Sequence, residues 1–116
     1  MTRAYVPATR DLLRAWYAAG GVPTDAERVL APGDDEDTEY AALMTAADLA
    51  ADLAADLGAG DRRRVVVVAA GPGEGEGPLA LRDWVAVHCD VADRPADADP
   101  DDDLGWFAVQ EIPDLI

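Results

Sequence analysis

His88 and Cys89 are the only histidine and the only cysteine in the chain, so any chemistry in which an imidazole activates a sulfur nucleophile would have to use this pair. They are adjacent. Neighbours in an extended strand point to opposite faces, which keeps the base from its nucleophile. The pattern therefore fits a cysteine packed among valines and a histidine near the sheet surface. Gly71-Pro72-Gly73-Glu74-Gly75-Glu76-Gly77 follows an apolar run, as a phosphate loop would. It lacks the GxGxxG spacing and the GK[ST] ending, a strand follows it where a helix is needed, and its two glutamates would repel an anion. A hairpin connection is expected there. Asp97-Ala98-Asp99-Pro100-Asp101-Asp102-Asp103 has the alternate carboxylates of a calcium loop, but position six is Asp102 where glycine is required and position twelve is Ala108 where a bidentate glutamate is required. Only weak divalent binding, in the millimolar range, is expected of it. The chemistry-bearing residues thus imply no catalytic set, no cofactor and no metal centre.

Acidity is the feature that stands out. Asp34, Asp35, Glu36, Asp37 and Glu39 form one cluster, and Asp97, Asp99, Asp101, Asp102 and Asp103 form another, in segments that contain no arginine. Together they hold ten of the 24 carboxylates, and without them the net charge of −15 would be −5. Charge concentrated in this way permits anionic patches, which raise encounter rates with basic partners if the segments come close. Plain solubility is the competing explanation. The nine basic residues are all arginine, and the overall sign argues against binding a nucleic-acid backbone or an anionic membrane. Lys, Asn and Ser are absent, a bias that fits GC-rich coding or adaptation to high salt equally well.

A lone cysteine cannot close an intramolecular disulfide, and MTRAYVPATR lacks the apolar stretch of a secretory signal, so a cytoplasmic protein is expected. No apolar run approaches the roughly 20 residues of a membrane span. The 116 residues are one domain's worth.

The elements that must position these residues follow from periodicity and punctuation. Arg3 to Pro7 reads as a short strand, with Pro7 restricted to an edge or an end. Thr9 is a candidate N-cap for a helix in which Leu12, Leu13, Trp16 and Tyr17 recur at helical spacing, stopped by Gly20-Gly21 and Pro23. Thr24 to Glu27 fits a capping box, while Arg28 to Ala31 fits a short strand, and local rules leave both open. A long helix is expected from Thr38 to Leu57, ended by Gly58 and Gly60, with carboxylates at its positive end. Its AADL repeat places each of Leu49, Leu53 and Leu57 about 40° around from the last, a slowly winding stripe with Asp48, Asp52 and Asp56 beside it. Arg62 to Ala70, apolar on both faces through Val65 to Val68, reads as the sheet centre. Leu79 to Asp90 reads as a strand with Val85, Val87, Cys89 and Val91 on one face and Trp84, Ala86, His88 and Asp90 on the other. A last strand is expected over Leu104 to Glu111, and the apolar tail Ile112, Leu115 and Ile116 should dock on the body.

The phrases YVPAT, GDDEDTEYAAL, RRRVVVVAA, WVAVHCD and LGWFAVQEIPDLI together resemble a small actinobacterial family of uncharacterised function. The resemblance runs over the whole chain. Between Gly21 and Gly33 this sequence is compact where the family implies a longer insertion with a clear strand. No activity, cofactor or catalytic residue is implied. The expectation is a single α/β domain, or α+β, with a mixed sheet of four or five strands packed by two main helices. For function it is a non-catalytic binding or assembly module with a basic protein partner. The alternatives are a nucleic-acid mimic that occupies a basic groove, and a small enzyme pairing an Asp or Glu with His88, since catalytic residues need be near only in space.

Overall fold

Thr9 has extended backbone, and its hydroxyl accepts from the Leu12 N–H at 3.2 Å, so the first helix starts where the capping rule places it. This is a computed structural model, and it describes residues 3–31, 35–70 and 77–116. Asp34 and all but Gly77 of the glycine-rich connection lie outside those residues. The elements are β1 (Arg3–Ala8), α1 (Arg10–Ala19), β2 (Gly21–Val22), β3 (Val29–Ala31), α2 (Glu36–Asp56), β4 (Val65–Ala70), β5 (Leu79–Ala80), β6 (Trp84–Cys89), β7 (Gly105–Phe107) and α3 (Ile112–Leu115). Short 3-10 turns occupy Leu81–Asp83 and Val109–Glu111.

Five strands form one sheet in the order β3-β1-β4-β6-β7, and β2 and β5 form a separate two-stranded ribbon. Among the described residues every pairing is antiparallel, so the sheet is not the mixed one expected, and the architecture is the α+β form of the expected class: neither main helix serves as a crossover between parallel neighbours. β4 is the middle strand, as its valines imply. Val65, Val67 and Ala69 join Ala4, Val6 and Ala8 of β1 beneath α1, while Val66 and Val68 join Tyr5 beneath α2. Pro7 fits inside β1 because β3 pairs only with Arg3, Ala4 and Tyr5, leaving the rest of β1 without a neighbour on that side.

Three expectations need correction. The first concerns α2, which begins at Glu36 because Asp35, and not a later residue, caps it. Its sheet-facing row is Ala42, Ala46, Ala50 and Ala54 with Ala47; Leu49 and Leu53 are half-buried to one side, and Leu57 is exposed. The AADL repeat offers rows of alanine and of leucine with the same four-residue step, and alanine lets the helix axis approach the sheet closely. The second concerns β6. Val68 pairs with Ala86 but Ala69 pairs with Trp84, so Val85 is an extra, bulged residue and is exposed. The bulge changes the phase: Trp84 turns to the α1 side with Val87 and Cys89, and Ala86 stays on the α2 side. The strand expected from Leu79 is also interrupted, its first two residues pairing with β2. There the backbones are so close that a Cβ on Gly21 would stand 2.7 Å from the Leu79 carbonyl.

The third correction is at the C-terminus, where β7 covers only Gly105–Phe107 before the chain coils into a 3-10 turn and α3. Pro113 cannot donate to a sheet ladder but suits the first turn of a helix. Ile112 is wholly buried among the residues beneath α1, and Leu115 and Ile116 pack against them. Residues 24–31 resolve as a turn followed by the strand β3, so the capping box does not start a helix.

Candidate functional site: an acidic face pinned by buried arginine

Arg64 is the residue just before β4 and Asp90 the residue just after β6, which continues the β4–β6 ladder by one more pair. The Asp90 N–H donates to the Arg64 carbonyl at 3.1 Å, and the Arg64 N–H donates to Asp90 Oδ2 at 2.8 Å. The guanidinium then grips the same carboxylate through Nε and Nη2, at 2.9 and 2.8 Å. Arg64 is 1% exposed and Asp90 6%. Such a forked contact is the strong, directional form of an ion pair. It holds the Arg64 guanidinium charged, above its ordinary pKa.

The remaining donors of Arg64 reach out of the sheet into the second acidic segment. Nη1 donates to the Pro100 carbonyl at 3.1 Å and Nη2 to the Asp102 carbonyl at 2.8 Å. Arg94 adds a bond from Nη2 to the Asp99 carbonyl at 2.8 Å and an ion pair with Asp102 at 3.4 Å. The 97–103 loop contains no arginine of its own, yet two arginines from outside clamp its backbone. Asp99 also accepts from the Asp101 N–H at 2.9 Å, a local turn that uses one of its carboxylate oxygens. Asp97, Asp99, Asp101, Asp102 and Asp103 are all exposed.

The first segment is ordered by its helix. Asp35 accepts from the N–H groups of Asp37 and Thr38 at 2.9 and 3.1 Å and from the Thr38 hydroxyl, which holds its carboxyl below the usual range. Glu36 and Asp37 are exposed, and Glu39 pairs with Arg3 at 3.2 Å. The two segments then meet: the Tyr40 hydroxyl donates to Asp103 Oδ1 at 3.2 Å. The neighbouring carboxylate raises the Tyr40 hydroxyl above its ordinary pKa. Tyr40 is 53% exposed and Trp106, three residues beyond Asp103, is 61% exposed, so two large aromatic side chains accompany the carboxylates.

A model of the family of unknown function DUF6912 matches residues 2–116. The chain belongs to that family. No curated protein matches it, and no solved structure does. The acidic face of this DUF6912 member is therefore read from its own geometry.

The sequence identified the carboxylates and missed what holds them. Of the three arginines that precede the valine run, Arg64 alone is buried. Cys89 belongs to the core beneath α1, its thiol donating to the Asp90 carbonyl at 3.3 Å. His88 is turned to the other face, paired across the sheet with Val66 and Trp106, and burial lowers its pKa. Among the described residues no group of three or more His, Cys, Asp or Glu could hold a metal ion, and no helix is long and apolar enough to cross a membrane.

Burial pushes the Cys89 thiol from 9.0 up to about 11. Because the folded state keeps this proton longer than the unfolded chain, the stabilisation is complete below the unfolded value and is lost as pH rises towards the folded one. Urea midpoints should accordingly fall between pH 9 and about 11. Cys89→Ala should flatten part of that decline; an identical slope in the variant would show that the thiol contributes none of it.

Proposed function

We propose that this chain is a non-catalytic binding or assembly module whose acidic face docks a basic protein partner, and that it works in the cytoplasm, where a single reduced cysteine is unremarkable. The supporting observation is the Tyr40–Asp103 hydrogen bond, which links two acidic segments through residues 63 apart in the chain. Clamping by Arg64 and Arg94 lowers the ordering cost that a loose acidic loop would incur on association. Tyr40 and Trp106 supply the aromatic anchors at which binding energy concentrates, with carboxylates around them to steer and orient.

The geometry dictates the variant. Asp35 caps α2 and Asp103 holds Tyr40, so both stay, and Glu36→Gln, Asp37→Asn, Asp97→Asn and Asp101→Asn neutralise exposed side chains, the first two at a cost of about 0.3–1 kcal/mol each in helix-dipole interaction, which a melting curve monitors. Affinity capture from the native host's lysate, at low salt and at about 0.5 M, should recover a basic protein whose association with purified chain is roughly ten-fold slower for the variant and weakens steeply with salt. Recovery of the same proteins by both forms, independent of salt, would leave the acidic face without a binding role. Competition of that partner by duplex DNA would identify the face as a nucleic-acid mimic.

A further inference from the structure

At the other half of α2 lies a cleft of about 550 Å³ between the two main helices. Leu12 and Trp16 of α1 and Leu49 and Leu53 of α2 form its apolar lining, which explains why the leucine row of the AADL repeat is turned away from the sheet. The volume falls in the range of small-molecule sites, roughly 300–1,000 Å³, and is lined as such sites usually are, by aliphatic and aromatic side chains.

The polar part of the lining has one sign. Asp25 and Glu27 come from the turn before β3, Asp52 and Asp56 come from α2, and no basic residue is among the lining groups. None of these four side chains makes an ion pair or hydrogen bond among the described residues, in contrast to Asp35, Asp61, Asp90 or Asp102. Asp52 and Asp56 are four residues apart on one helix, where like charges repel. They also sit in its last two turns, at the negative end of the dipole, with no basic residue in the final turn. The apolar lining favours a ligand with a hydrophobic body, and the exposed carboxylates at its rim favour a positive head.

From this complementarity we infer that the cleft binds a small organic cation, an aryl- or alkylammonium, with its apolar body against Trp16 and Leu53 and its charge towards Asp52 and Asp56. The site is separate from the acidic face around Tyr40, so either can fail without the other.

The test is an NMR titration of the full chain with phenethylammonium, and in parallel with 2-phenylethanol and phenylacetate, which keep the ring and change the charge. Phenethylammonium should shift the Trp16 indole and the Leu12, Leu49 and Leu53 methyl signals, and bind at least about ten-fold more tightly than the neutral alcohol. In the Asp52→Asn/Asp56→Asn variant, whose changes are at exposed positions and whose fold is checked by its melting curve, that margin should disappear. Equal binding of cation and alcohol, an unchanged margin in the variant, or shifts centred on Tyr40 and Asp103 would each overturn the assignment.

Discussion

Asp90→Ala should cost about 3–5 kcal/mol, a large share of the stability of a domain this size, because it leaves the Arg64 guanidinium buried with its main partner gone. The carboxylate accepts three hydrogen bonds from Arg64, one from the backbone N–H and two from the side chain. Their loss leaves donors that water cannot reach. Urea unfolding gives the number directly, and a change below about 1 kcal/mol would mean that the pair contributes little. The double variant Arg64→Met/Asp90→Leu separates the two roles of the arginine. Removing both charges together should restore much of the stability, as apolar replacements of buried ion pairs often do. It should also release the carbonyls of Pro100 and Asp102, so that amides in the 97–103 loop exchange faster even though the core is sound. The pair then stands out as a device for placing a loop, with its net effect on stability secondary.

The second large effect is at the C-terminus. Ile112 is fully buried, and the Leu115 carbonyl accepts from Arg10 Nε at 2.8 Å, tying the last turn to the start of α1. Ile112→Ala should cost about 2–5 kcal/mol, the transfer of the lost atoms plus the cavity they leave. At roughly 4–8 °C per kcal/mol for a small domain, the melting temperature should drop by about 10 °C or more. Deleting residues 112–116 should be worse, since Leu115 and Ile116 leave too and the core beneath α1 is opened to water. A truncated chain that melts with the full one would refute the docking of this end.

The features that were legible in the sequence are those decided within a few residues. Thr9 and Gly20 bracket α1 because capping and a left-handed C-terminal glycine are local geometry, and Gly20 has φ 87°. The valine run was legible as a central strand because both faces must be buried. The face assignment along β6 held from Ala86 onward and failed before it, at Trp84, because one extra residue inverts a two-residue period, and the bulge at Val85 leaves no mark in composition. The sheet-facing row of α2 failed for a different reason: alanine and leucine rows are equally periodic, and the approach distance between helix and sheet decides between them. The acidic residues themselves were plain. Their assembly into one face was not, since it depends on Tyr40 meeting Asp103 and on Arg64 having the inward phase, both products of tertiary packing.

The strand order has a consequence for how the chain comes off the ribosome. β1 precedes β4 by more than fifty residues and lies next to it at the middle of the sheet, as its long partner: Arg3 pairs with Ala70 and Ala8 with Val65. Until β4 has been synthesised, one side of β1 has only β3 to cover its edge and the other side lacks its long partner, although α1 and α2 are already complete. The nascent intermediate is therefore two helices around an open, apolar strand edge, the kind of species that associates with other chains. The carboxylates of the first cluster are already present on that intermediate, and mutual repulsion between such chains works against their aggregation while they wait for β4.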